Sequence, residues 1–416
     1  MCTSTLLYTL LLVSVGLTIS GCETTDKALT AAGRVARGQT GQAIIDLASG
    51  KDPAQIAKRR LDQYARDPEA LVRDLREAKK DFEAILAVLG VNVGKTWGKK
   101  EVQLPERKKY VKYTQNYKSR AIVDFDSAEI LVETLDDQDP QKSLKNAIVT
   151  TLLTPQDPRS VDLFSDKEIV LTDDKEPYLF GLVLDQRNKP IRSPEEAEPF
   201  AAYLLEKKYA TRVVDQDGTK KTVHYATMAM VTNLPMKQAE KYRTLVHQFA
   251  QQYNISPSLV FAVIRTESNF NPYAVSSAPA YGLMQLVPTS GGREAYRKAK
   301  GQDVIPSRDY LFDPENNVEL GTAFLNVLMF NQLEAVDHNV SREYCVIAAY
   351  NTGAGNVFRT FSRDRTTAVN QINSLQPAGV YDQLRKNLPY EETRHYLEKV
   401  TGYRKSFVSS SESSNQ

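Results

Sequence analysis

The chain has 416 residues, of which 41% are hydrophobic and 25% charged, and its net charge is +2. Those values fit a globular protein with a core of ordinary size and room for two to three domains. They carry none of the charge bias of a nucleic-acid binder, and no nucleic-acid partner is expected. Three cysteines (Cys2, Cys22, Cys345) and four scattered histidines offer neither a disulfide framework nor a zinc site, so no metal or other cofactor is expected.

Residues 6–19 form an apolar run of signal-peptide length, too short to span a membrane comfortably. It ends in Ile19-Ser20-Gly21-Cys22, which resembles the bacterial lipobox. In proteins with that motif the cysteine is acylated and becomes the mature N-terminus, and several acyl chains anchor more durably than one. The competing reading is an ordinary cleaved signal with an incidental cysteine. No Lys or Arg precedes Leu6, which departs from a usual signal; a start codon placed differently would account for that. Glu23 follows Cys22 where an inner-membrane retention signal would have Asp, which favours the outer membrane, facing the periplasm.

Residues 22–52 read as a tether. From 53 to 89 apolar residues recur at helical spacing (Leu61, Tyr64; Leu71, Leu75; Phe82, Ile85, Leu86), bounded by Gly90. The period then changes, and strands are expected at 121–125, 130–134, 168–172, 178–184, 210–214 and 221–231. Asp215-Gln216-Asp217-Gly218 marks a hairpin turn, because Asp-Gly supplies the positive φ that such turns need. A helix over 194–207 interrupts them, with Ser193 as N-cap, Pro194 in the first position and Glu195-Glu196 at the positive end of its dipole. The expected architecture is α+β over 53–235, with no catalytic constellation. Two basic clusters, Lys58-Arg59-Arg60 and Arg107-Lys108-Lys109, read as solvated helix faces or as attraction to an anionic polymer or membrane surface.

From 236 to 405 the pattern is helical, and a Ser-rich tail over 406–416 is expected to be disordered. Tyr242, Leu245, Val246 and Phe249 make one stripe. Ser256-Pro257 then opens a helix in which Val260, Val263, Ile264 and Glu267 fall at i, i+3, i+4 and i+7. Glu267 therefore lies on the apolar stripe near the helix C-terminus. Burial and the negative end of the dipole both disfavour its charged form, and a carboxyl kept protonated near neutral pH can serve as a general acid. The plainer alternative is a carboxyl that reaches solvent or a structural partner. Further on, Asp313-Pro314 starts a helix with the stripe Leu320, Phe324, Leu325, Leu328. Gly321 in its middle costs about 1 kcal/mol against Ala, which close packing would offset. Gly353 and Gly355 read as helix ends, and Cys345 as a small core residue.

Four segments occur in order: Glu267-Ser268-Asn269-Phe270-Asn271-Pro272; Ser276 to Gln285, ending Gly282-Leu283-Met284-Gln285; Ala349-Tyr350-Asn351; and Glu392 to Val400 around Tyr396. Together they resemble the soluble lytic transglycosylase family over about residues 240–403. That resemblance implies an all-α, goose-lysozyme-like catalytic domain after the α+β one, acting on peptidoglycan glycan strands. It implies Glu267 as the catalytic acid/base, with Ser276, Met284, Gln285, Tyr350, Asn351 and Tyr396 around the substrate. Taken singly, Ser276 could serve a turn, Met284 the core and Gln285 the surface, while Tyr350 and Tyr396 could be plain core tyrosines. Thr352 and Pro279 depart from the family pattern, and Pro279 bears on the cleft shape. The expected reaction forms a 1,6-anhydro end. A hydrolytic lysozyme acting on the same bond and a non-catalytic wall-binding lipoprotein are the competing functions.

Overall fold

The computed structural model describes residues 68–171, 176–276 and 279–412. Cys22, the signal segment, the tether and the basic cluster at 58–60 lie outside them. By its contacts the chain divides after Val88, and the larger unit, Leu89–Gln416, holds the sheet and every helix that follows it.

Helix α1 (Pro68–Trp97) does not stop at Gly90 as the sequence suggested. Leu89, Val93 and Trp97, four residues apart, are wholly buried. Each is worth about 1.5–3 kcal/mol of burial, which outweighs the roughly 1 kcal/mol that Gly90 or Gly94 costs inside a helix. The chain turns instead at Gly98, at φ 88°, where a Cβ would stand 2.6 Å from the Asp215 carbonyl oxygen.

Five antiparallel strands follow: β1 (Lys109–Thr114), β2 (Ser119–Asp124), β3 (Glu129–Thr134), β4 (Ala210–Gln216) and β5 (Thr219–Ala229), in spatial order β1-β2-β3-β5-β4. The β4–β5 hairpin closes on Asp217 and Gly218, both at positive φ, as Asp-Gly foretold. Both sheet faces are covered. Val111, Tyr113, Val214 and Val223 pack with Trp97 on one side. Tyr110, Val123, Ile130, Val132 and Ala226 pack on the other with helices α2 (Pro140–Leu152) and α3 (Pro194–Lys207).

Three expectations need correction here. Residues 168–171 and 178–184 form no strand. Val170 is exposed, and Tyr178 spends its ring on Phe125 and Tyr273 rather than on a ladder. The cluster Arg107-Lys108-Lys109 is not a helix face but the turn entering β1.

The helical part comprises α4 (Leu234–Lys241), α5 (Arg243–Gln252), α6 (Pro257–Ser268), α7 (Gly291–Lys300), α8 (Arg308–Phe312), α9 (Pro314–Val327), α10 (Asn339–Thr352), α11 (Ala354–Phe361), α12 (Arg365–Ser374), α13 (Pro377–Asn387) and α14 (Glu391–Glu412). This is the all-α, lysozyme-like domain expected after the α+β one. Gly353, at φ 83°, ends α10, whereas Gly355 lies inside α11. Burial pushes the Cys345 thiol up to about 12, which makes it an inert core residue. The tail expectation fails over 406–412: α14 continues to Glu412, and Phe407 stacks on Phe261 of α6 at 5.3 Å. One buried ring holds the helix where composition alone suggested disorder.

Candidate active site

Helix α6 is buried along nearly its whole length, and Glu267 in its last turn is 5% exposed. The helix ends because Asn269 and Phe270 take left-handed backbone conformations, at φ 47° and 61°. Burial pushes the Glu267 carboxyl up from 4.5 to about 7. Tyr396, Arg107 and Lys108 pull it back, while Glu392 adds to the rise. A carboxyl so placed can give a proton at neutral pH and take one back.

Two tyrosines wall this acid. Tyr396 of α14 is buried beside it, has a hydroxyl with no regular hydrogen bond, and has its ionisation pushed up by burial and by Glu267. Tyr350 of α10 is half-buried against Phe324 and is likewise shifted upward by burial and by Glu267; its hydroxyl donates to the Met284 carbonyl at 2.9 Å. Asn351 accepts from Thr393 at 2.6 Å, which ties α10 to α14.

The turn Gly282-Leu283-Met284-Gln285 forms a further wall. Gly282, at φ 74°, has no room for a Cβ, which would stand 2.5 Å from both Asn317 Nδ2 and the Leu311 carbonyl oxygen. Gln285, also left-handed, donates from Nε2 to the carbonyls of Ala274 and Gly282 at 3.0 Å, and its buried Oε1 has no partner. The turn is thus braced through one end of that amide. Met284 does not line a cleft through its side chain. It is fully buried, packed where a Cβ on Gly321 would fall 2.2 Å from its Sδ, and this explains the mid-helix glycine of α9. Its contribution is its carbonyl. Ser276 accepts from the Ala280 N–H at 3.2 Å and so serves the loop before this turn.

Four residues outside the sequence-predicted set complete the geometry. Ser268 donates to the Leu283 carbonyl at 2.7 Å, joining the end of α6 to the turn. Asn317, wholly buried in α9, accepts from Met284 N–H at 2.7 Å and donates to the Tyr281 and Leu311 carbonyls. Arg107 lies 3.8 Å from Glu267 Oε2 and 3.1 Å from Glu392 Oε1. Glu-Ser adjacency hinted at the first. Nothing in the local pattern distinguishes Asn317 from its neighbour Asn316. Arg107 was visible only as part of a basic cluster, and Glu392 only as the first residue of the segment around Tyr396.

Comparison with known proteins then bears on the whole chain. A family described as "Membrane-bound lytic murein transglycosylase C, N-terminal domain" matches residues 72–241, and one described as "Transglycosylase SLT domain" matches residues 244–373. The membrane-bound lytic murein transglycosylase C of Serratia proteamaculans is 42% identical over 339 residues, covering 82% of this chain and 92% of that protein. Its counterpart in Klebsiella pneumoniae is 43% identical over 339 residues, covering 82% and 91%. Among solved structures, the 70 kDa soluble lytic transglycosylase of Escherichia coli is 27% identical over 39% of this chain and 23% of that one, with a TM-score of 0.30.

Proposed function

The chain belongs to the family of membrane-bound lytic murein transglycosylase C, and from that membership we propose that Glu267 is its catalytic acid/base. The enzyme is a peptidoglycan lytic transglycosylase. Protonated Glu267 donates to the glycosidic oxygen between N-acetylmuramic acid and N-acetylglucosamine. The 2-acetamido group of the muramic residue stabilises the positive anomeric carbon as that bond breaks. Ionised Glu267 then removes the proton of the same sugar's 6-hydroxyl, whose oxygen attacks the anomeric carbon and closes a 1,6-anhydro ring. One proton enters, one leaves, and no water is consumed. An internal nucleophile has a large effective concentration, so the reaction needs no second carboxylate to activate water.

The observation that carries this reading is the buried carboxyl, poised at about 7 beside the buried Tyr396 and the half-buried Tyr350. Tyr396, whose hydroxyl faces Glu267, and Gln285, whose Oε1 has no partner, are the residues best equipped to bind substrate. Tyr350, Asn351 and the main chain of Met284 hold the wall, and Ser276 shapes the loop beside it. The domain limits proposed are 53–235 and 236–405. Mass spectrometry of products from purified sacculi tests the reaction: anhydro ends are expected, and ends heavier by one water would replace this chemistry with hydrolysis.

Membrane association comes with the family, whose relatives are named membrane-bound. No described helix is long and apolar enough to cross a membrane. Lipid on Cys22, holding the enzyme at the periplasmic face of the outer membrane, is the anchor proposed. Loss of palmitate labelling in Cys22→Ser, with release from the membrane fraction, is the expected outcome.

A further inference from the structure

The basic triplet 107–109 is the part of the sequence that the reaction above leaves unused. Its three cations go to different partners. Lys109 faces Asp124 at 3.8 Å, and Lys108 is held by Asp126 at 3.0 Å. Arg107 alone reaches over α6 and α14, to Glu267 and Glu392. The backbone around it is fixed by the catalytic domain itself. Asn271 donates to the Arg107 carbonyl at 3.2 Å, and Asn269 donates to the Phe125 carbonyl at 2.6 Å. Tyr178 donates to the Phe270 carbonyl at 3.0 Å, and Tyr273 to that of Pro155. The segment just after Glu267 is therefore bolted to the sheet, and the turn carrying Arg107 has little freedom to withdraw.

We propose that Arg107 is a positioning residue for the Glu267 chemistry: the sheet domain delivers one cation, shared between Glu267 and Glu392, and that sharing fixes the orientation and protonation balance of the acid. The inference rests on the reading of Glu267 as the acid. The groups facing Glu267 are Tyr396 and Glu392 from α14, Tyr350 from α10, and Arg107 and Lys108 from the turn. Arg265, two residues back on α6 and so on its opposite face, lies instead over the Tyr403 ring at 3.9 Å. Among these groups Arg107 and Glu392 act on the acid with opposite sign. At 3.8 Å Arg107 is too far for a tight salt bridge, which would lock Glu267 as a carboxylate, yet near enough to favour its release of a proton. Glu392, at 3.1 Å, takes the tighter share of the guanidinium and leaves Glu267 the weaker one.

The test compares pH profiles of kcat/KM on glycan strands for the full-length enzyme, Arg107→Gln and Glu392→Gln. Activity of the parent enzyme falls as pH rises through about 7, because the protonated form is the one that donates to the glycosidic oxygen. Arg107→Gln is expected to move that limb to higher pH by roughly half a unit or more. Glu392→Gln is expected to move it lower, since it removes a negative neighbour and frees Arg107 for Glu267. Loss of stability cannot move the limb in two opposite directions. Limbs that shift the same way, or that stay where they were, overturn the proposal. Glu267→Gln keeps the two readings apart. A dead Glu267→Gln enzyme with unmoved limbs in the other variants removes only the role of Arg107, whereas an active one removes the reading on which it rests.

Discussion

Two of the buried glutamates among the described residues, Glu133 and Glu267, are held in opposite ways. Glu133, on the sheet, is wholly inaccessible and meets Arg120 at 2.6 Å and Arg212 at 2.9 Å. Both arginines also bind Glu101, and Trp97 lies 3.9 Å beneath the Arg120 guanidinium. Every charge there has a close counter-charge. Glu267 has one distant arginine and two tyrosines. A buried carboxyl that is fully paired fixes structure, whereas one left short of partners, as Glu267 is, becomes an acid raised toward neutral pH. The sheet domain and the catalytic domain differ in how much compensation they grant, not in residue type.

Exchanging the two carboxyls is the sharpest way to break that contrast. Glu267→Gln should lower turnover of sacculi by roughly a thousandfold or more while circular dichroism and Tm stay native-like. Glu133→Ala should do the reverse. Leaving the buried Arg120 with Glu101 as its one remaining carboxylate is expected to cost about 3 kcal/mol in urea unfolding, with turnover per folded molecule retained. If Glu133→Ala is as stable as the parent, the network is ornamental and the contrast fails.

A subtler consequence follows from the same shift. A carboxyl whose folded value is raised binds its proton more tightly in the native state, so it costs no stability below its unfolded value of 4.5. The cost grows as pH rises toward about 7 and is complete above that. Glu267→Gln should therefore be more stable than the parent at alkaline pH, by about 3 kcal/mol, and equal to it in acid. Denaturation curves at two pH values suffice, and a gap that widens toward acid would contradict the assignment. Next in size is Gly321→Ala, which should cost about 1–3 kcal/mol and lower activity by displacing Met284. Smallest is Tyr350→Phe, which loses one hydrogen bond to the Met284 carbonyl, about 1 kcal/mol by thermal melt, with a measurable fall in turnover.

Much of this was legible in the sequence because it is periodic or local. The i, i+3, i+4, i+7 series put Glu267 inside, and Asp-Gly set the hairpin. What escaped was non-local. Strand β1 alternates like any strand, but its Lys109 and Lys112 hid it; Lys112 is buried with its ammonium on the Ser165 carbonyl. The apolar stretch at 178–184 has strand composition but packs as a plug. Met284 was assigned to the cleft by the family resemblance, and only the space above Gly321 shows where its side chain goes. Arg107 lies 160 positions before Glu267, and no spacing rule links a turn to a helix that far along the chain.

Helix α14 touches the acid near its beginning, through Tyr396, and supports the far side of α6 near its end, through Phe407. A chain severed anywhere before Tyr396 thus has Glu267 without the wall that keeps water from it, and one severed before Phe407 has α6 without its outer brace. As the chain is made from N- to C-terminus, the wall around Glu267 stays unfinished until Tyr396 of α14 has been added. Loss of the chain from Phe407 onward would loosen α6 without touching the acid itself.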